Sequence, residues 1–277
     1  MSLPPLTEVF AYDFMLRALA AGAFVALLGA LLGVFTILRG LGMISDGLGH
    51  VSFAGVALGL LFNVLPLAFA LAATVLGAVA IQLMRERGLV KGDVAIGIVF
   101  SAGLALGVAI VSHGQGLGVN ISSYLFGNIL AVSAADVWVV AGLGAALCAF
   151  IGLLYKEMLY VTFNEEAARI SGLPVGALNL FFSVVTGAAV VLASRVVGVL
   201  LVSALIVVPA AAGLQLARSF RRTLLAAVAL GMVAVLLGLY ASFAFDIAAG
   251  AAIALASIAL FVLAAAQRAV RRGRAPA

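Results

Sequence analysis

Asp46 and His50 stand four residues apart in Ser45-Asp46-Gly47-Leu48-Gly49-His50, at the head of an apolar run. On a helix that spacing puts both side chains on one face. A carboxylate beside an imidazole is half of a divalent transition-metal site. The neutral ring suits zinc and also serves manganese, and a small ligand set holds an ion weakly enough to release it. A plainer reading of the same residues has Ser45 or Asp46 capping the helix and His50 as a satisfied interior residue. Ionisable groups at membrane depth are costly unless paired, wetted or bound to an ion, so the chemical reading stands beside the plainer one, and the residues alone leave both open. His113, in the uncharged stretch 112–134, is a further candidate metal ligand on the outer side; the alternative is an ordinary loop histidine.

The setting follows from composition. Of 277 residues 66% are hydrophobic and 9% charged, and the mean hydropathy is +1.34. Such a chain has too little polar surface to coat a soluble globule and reads as an integral protein of the lipid bilayer. A formal charge of +5 raises the question of nucleic acid, but no basic patch is interleaved with aromatics, so no nucleic-acid partner is expected. The single Cys148 lies in an apolar run and reads as a small core hydrophobe. Residues 1–13 lack a basic n-region and a small-residue cleavage site, so the first apolar run is expected to be a retained span.

Nine apolar runs, at about 14–38, 46–62, 65–84, 93–112, 135–155, 174–193, 196–217, 223–243 and 246–267, must position these side chains. They predict an all-α polytopic membrane protein of about eight or nine transmembrane helices, the one at 46–62 being short and buried among its neighbours. Thirteen Lys and Arg fall in alternate loops on one side, against Arg17 and Arg195 on the other. The positive-inside rule then puts the N-terminus outside and the C-terminus in the cytoplasm. Arg195 reads as snorkelling to the interface, or as touching an acidic partner. With no polar domain, linker or repeat, residues 1–277 form a single transmembrane domain. Asp93, Asp136 and Asp246, at the starts of runs, read as N-terminal caps.

Three further features bear on packing and motion. The pairs Gly29/Gly33, Gly55/Gly59 and Gly103/Gly107 allow close helix contact, within one chain or at a dimer seam. Pro209 interrupts the hydrogen bonding of the seventh run, as a structural kink or a gate. In 156–174, Asn164 as N-cap, Glu165 and Glu166 in the first turn and Gly172-Leu173-Pro174 as a stop predict a short helix on the cytoplasmic face, at about 164–172. Its shape suits docking into a partner's groove or lying on lipid.

Absent motifs narrow the function. The chain has no Gly-x-x-x-x-Gly-Lys-Ser/Thr phosphate loop, no His-Glu-x-x-His and no Gly-x-Ser-x-Gly, so it is expected not to be an enzyme. A secondary transporter or channel for cations, working without ATP, remains the alternative class. More ionisable residues in mid-span and an internal repeat would mark it.

Several separated motifs resemble the permease subunit of metal-importing ABC transporters of the zinc and manganese type, the ABC-3 family. They are 45–50 with Ala54-Gly55-Val56-Ala57-Leu58-Gly59, Gly92-Asp93-Val94-Ala95-Ile96-Gly97-Ile98-Val99-Phe100, Tyr124-Leu125-Phe126-Gly127-Asn128-Ile129-Leu130, 165–174, and 197–211 around Pro209. The resemblance implies a homodimer of permease chains in a prokaryotic inner membrane, two cytoplasmic ATPase subunits that bind the ATP, and an extracytoplasmic metal-binding protein. No cofactor is bound permanently; Zn2+ or Mn2+ is the cargo, moved inward by alternating access. Asp46 and His50 match the family's acidic and histidine positions as metal-pathway ligands. Asn164, Glu165, Glu166, Ala167, Ala168, Arg169 and Gly172 match the helix that the ATPase grips. The run 212–220 looks more like zinc members than manganese ones, and an ABC permease for a metal chelate is the neighbouring alternative. Two departures stand out: Asn164 replaces a frequent acid, and 246–250 lacks the usual prolines.

Overall fold

The computed structural model describes residues 9, 11–90, 93–114, 124–127, 133–199 and 201–273. Among them every extended element is a helix: α1 (Asp13–Leu38), α2 (Ile44–Leu61), α3 (Pro66–Glu86), α4 (Val94–His113), α5 (Ala134–Leu153), α6 (Tyr155–Phe163), α7 (Glu165–Ile170), α8 (Val175–Val197), α9 (Val202–Leu216), α10 (Phe220–Phe245) and α11 (Ala249–Gly273). Eight are long and apolar enough to cross a membrane; α9, at 15 residues, falls short by length. Backbone hydrogen bonds must be satisfied within each segment where no water is available, so apolar runs of this length fold as helices.

Local signals set the ends. α1 stops where Gly40 takes φ +66°, with the Leu41 N–H bonded to the Thr36 carbonyl at 2.8 Å. Pro66 opens α3 in its first turn, where its missing N–H is harmless. Asp136 closes a capping box with Ser133, as a residue at the start of a span should. Asp246 departs from expectation: it is the left-handed C-terminal cap of α10, at φ 52°, and not the start of the last span.

The expected seventh span, 196–217, is also corrected. α8 runs on to Val197, the chain breaks at Gly198 with φ +87°, and α9 starts at Val202. Residues 124–127 cause the break. The Val199 N–H donates to the Tyr124 carbonyl at 2.9 Å, and a Cβ on Gly198 would lie 2.5 Å from the Leu125 carbonyl oxygen. α9 still carries the chain from one end of the bundle to the other. Its C-terminal Gln215 accepts from Arg268 in the last turns of α11, while Val197, just before it, lies against Gly250 in the first turn of α11.

Two apolar cores share α1 and α8. Val25, Leu28, Leu192, Leu205, Val235 and Ile253 join α1, α8, α9, α10 and α11; Phe35, Leu48, Ile81, Ile96 and Phe182 join α1, α2, α3, α4 and α8. All three glycine pairs bring helices together inside the single chain. Gly103 is the tightest for function, since an added Cβ would sit 2.6 Å from the Val51 nitrogen and 2.8 Å from the His50 carbonyl carbon. Phe220 packs on Phe35, Tyr155 and Phe163 at ring separations of 5.1, 5.8 and 6.3 Å, which puts the start of α10 at the same end as α6 and α7. At that end gather the described side chains of Arg39, Arg85, Arg169, Arg218, Arg222, Arg268 and Arg271, whereas Arg17 lies toward the other, where Tyr12 meets Phe243.

Candidate functional site

α2 starts after Met43 with no side-chain cap, and the Ser45 hydroxyl, though buried, has no hydrogen-bond partner. Asp46 makes no hydrogen bond among the described residues. Neither residue is therefore occupied as a cap. One turn on, the His50 ring meets the Phe100 ring of α4 at 4.2 Å between centroids and 67° between planes, and its buried Nδ1 has no partner. Most buried polar atoms find a partner, so the orphaned ring nitrogen of His50, one turn from Asp46, is the unusual polar atom of α2.

Burial along α2 shows where this pair faces. Ser45, Gly47, Leu48, Gly49 and Ser52 are buried, while Met43 is 52% exposed and Asp46 and His50 are half-buried. α3 and α4 pack along α2, and α4 covers one side of the imidazole with Phe100 while the acid and imidazole remain half-buried. Among the described residues no three His, Cys, Asp or Glu side chains converge. Asp46 and His50 thus stand without a third such side chain among the described residues.

The other expected site residues lie elsewhere. His113 is the last residue of α4 and exposed; thirteen residues beyond Phe100, it is about 20 Å away along the helix axis and does not join the pair. Pro209 is buried within α9, which continues through it, and packs toward Gly231 of α10. Residues 128–130 and the side chain of Arg195 lie outside the described residues.

α7 forms as expected. Asn164 caps it by accepting from the Ala167 N–H at 2.9 Å, Glu165 and Glu166 occupy the first turn, and Gly172, at φ +82°, ends it. Ala168 anchors its inner face against Val161, Val175 and Leu178. The outer face is open: Glu165, Glu166 and Arg169 are exposed, and Ile170 is 88% exposed.

Between α7 and α2 sits Arg39, which sequence reading counted only as one loop charge among thirteen. Its Nε donates to Thr162 Oγ1 at 2.8 Å, Nη1 to Asn179 Oδ1 at 3.1 Å and Nη2 to the Met158 carbonyl at 3.0 Å, and its guanidinium lies 4.6 Å from the centre of the Phe182 ring. Asn179 also donates to Glu165 at 3.4 Å, and Glu165 accepts from Arg169 at 3.5 Å. Removal from water pulls the Arg39 pKa down to about 10, against the attraction of Glu165, so it stays a cation at neutral pH. A lone cation seven positions before Asp46 was the available sequence signal.

The bundle, with eight helices long and apolar enough to cross a membrane among the described residues, is that of a polytopic membrane protein. The chain belongs to the ABC 3 transport family, whose pattern matches residues 11–268. It is 33% identical to the manganese transport system membrane protein MntC of Halalkalibacterium halodurans over 93% of this chain and 88% of that one. It is 31% identical to the manganese import system permease protein ScaB of Streptococcus gordonii, over 91% and 90%. Among solved structures, PsaBC from Streptococcus pneumoniae in complex with Fab superposes with a TM-score of 0.84 at 30% identity, covering 94% of this chain and 95% of that one.

Proposed function

We propose that this chain is the non-catalytic, membrane-spanning subunit of an ABC importer that carries a divalent transition metal into the cytoplasm, with Mn2+ as the first choice and Zn2+ the second. The observation that carries the reading is the half-buried Asp46–His50 pair on α2, with the imidazole Nδ1 lacking a hydrogen-bond partner. Membership of the ABC 3 transport family supports the class. Relatives named for manganese support that ion over the zinc preference drawn from 212–220. A carboxylate with an imidazole is within the ligand range of either ion. A second copy facing this pair would contribute a second pair and complete a four-ligand passage between identical chains.

Energy comes from separate ATPase subunits on the basic end, which is the cytoplasmic end on the positive-inside rule. α7 is the contact they grip. A shift of α7 moves Glu165, Asn179 follows through its hydrogen bond, and Arg39 carries the displacement into the chain that leads to α2. Rocking of α2 opens the ligand pair first to a metal-binding protein outside and then to the cytoplasm. The decisive experiment measures ATP-dependent uptake of radioactive manganese and zinc by vesicles holding this chain with its ATPase and binding protein. Uptake of one metal, lost in Asp46→Ala/His50→Ala at normal expression, is expected. Full uptake by the double variant would remove the ligand assignment, and uptake without ATP would remove the class.

A further inference from the structure

Four guanidinium groups converge on one cavity at the basic end of the bundle, apart from Asp46, His50 and α7. The cavity holds about 590 Å³ and is lined by Arg218, Arg222, Arg268, Arg271, Gln215 and Gln267, from the ends of α9, α10 and α11. Arg268 Nη1 donates to Gln215 Oε1 at 2.6 Å. Among the described residues no carboxylate lines the cavity or pairs with any of the four. Elsewhere at this end Arg169 pairs with Glu165, and Arg39 donates to three neutral acceptors. The start of α10 adds to the positive field. Ser219 provides no side-chain cap there, and Arg222 stands in the first turn, where the helix dipole is itself positive. Charge topology accounts for the side of the membrane on which arginines lie, but not for their convergence on one cavity without a counter-charge.

The surroundings say which anion fits. α10 has 26 residues and α11 has 25, so they are about 39 and 37 Å long, more than the roughly 30 Å of a hydrocarbon core. Their basic ends therefore reach the headgroup layer. One turn deeper, Leu225 on α10 is 70% exposed and Leu263 on α11 is 66% exposed. Polar cavity and apolar track together match a ligand with an anionic head and a hydrocarbon tail. We infer that this cavity binds the phosphate headgroup of an anionic phospholipid of the adjoining leaflet, held by arginine forks, with an acyl chain along Leu225 and Leu263. Free phosphate shares the headgroup chemistry but has nothing to lay on the apolar track. The assignment stands whatever the cargo.

The test is retention of lipid by the full-length chain, purified from vesicles of equal phosphatidylglycerol and phosphatidylcholine and read by native mass spectrometry. Wild type is expected to keep phosphatidylglycerol in preference to phosphatidylcholine. Each of Arg222→Gln and Arg268→Gln should weaken retention about fivefold, and the double variant more. Arg221→Gln removes an equal charge next door, from a side chain that does not line the cavity, and should keep the lipid. The two single variants carry the test should the double variant fail to insert. Equal loss in Arg221→Gln would reduce the effect to diffuse surface charge and overturn the site. Displacement of the lipid by inorganic phosphate alone, or by the ATPase subunit, would assign the cavity to a free anion or to a protein contact and overturn the lipid reading.

Discussion

Arg39 and Glu165 are joined through a single amide: Asn179 accepts from the Arg39 guanidinium with Oδ1 at 3.1 Å and donates from Nδ2 to the Glu165 carboxylate at 3.4 Å. α7 and the chain segment leading to α2 are therefore held on opposite ends of one side chain of α8. Arg39→Gln is expected to keep ATPase co-purification and lose metal uptake about tenfold. The lost charged hydrogen bonds should also cost about 2 kcal/mol in thermal unfolding. Arg39→Lys should fail as well, because an ammonium cannot reproduce three bonds from a planar fork. With a pKa near 10, Arg39 stays charged through the neutral range, so the defect should be the same at about pH 6 and about pH 8. Wild-type uptake per ATP in Arg39→Gln would exclude the linkage.

Single substitutions divide the proposed ligand pair, Asp46 and His50. Asp46→Asn keeps the shape of the side chain and removes its charge, and His50→Phe keeps an aromatic ring against Phe100 and removes the nitrogen. Both should insert at wild-type levels and lose uptake at least about tenfold, the loss of one of few ligands being felt in full. Uptake assays with manganese and zinc in parallel check this. Unequal losses for the two metals would show which ligand discriminates between them.

Asn164 replaces a frequent acid, yet it performs the capping task by accepting from Ala167 at 2.9 Å. Asn164→Asp should preserve ATPase binding, because Asn and Asp cap equally well. Asn164→Ala should cost about 1 kcal/mol and weaken co-purification of the ATPase. Equal binding by all three would show that the end of α7 is not gripped.

Gly103→Ala puts a methyl group 2.6 Å from the Val51 nitrogen. The clash is with backbone, so no rotamer relieves it, and a destabilisation of about 1–3 kcal/mol is expected in thermal unfolding. Gly97→Ala in the same helix meets nothing within 4 Å and should be neutral or slightly stabilising.

Features written in contiguous residues were legible in the sequence. Apolar runs gave the helices, Asn164 with Gly172-Leu173-Pro174 gave α7, and the i,i+4 spacing gave the shared face of Asp46 and His50. What was missed depends on distant chain. The break at Gly198 is imposed by residues 124–127, and the partners of Arg39 lie 119 to 140 positions away. Asp46 and His50 stand out in the sequence, but the cover of Phe100 over the His50 ring needed the packing of α4. Asp246 was misread because a left-handed helix cap and the start of the next helix carry the same local signal of a polar residue between apolar runs.

Three glycines of the α2–α4 seam seat one helix directly on the other: Gly47 against Ile96, Gly103 against the backbone at His50 and Val51, and Gly107 against Phe53. Sliding along that seam would drive Ile96 and Phe53 through backbone with no room to yield. The seam therefore favours movement of α2 and α4 together, with Phe100 staying over the His50 ring. Gly55 and Gly59 seat α2 on α3 as closely, so a displacement of α2 that keeps these contacts carries both neighbours with it.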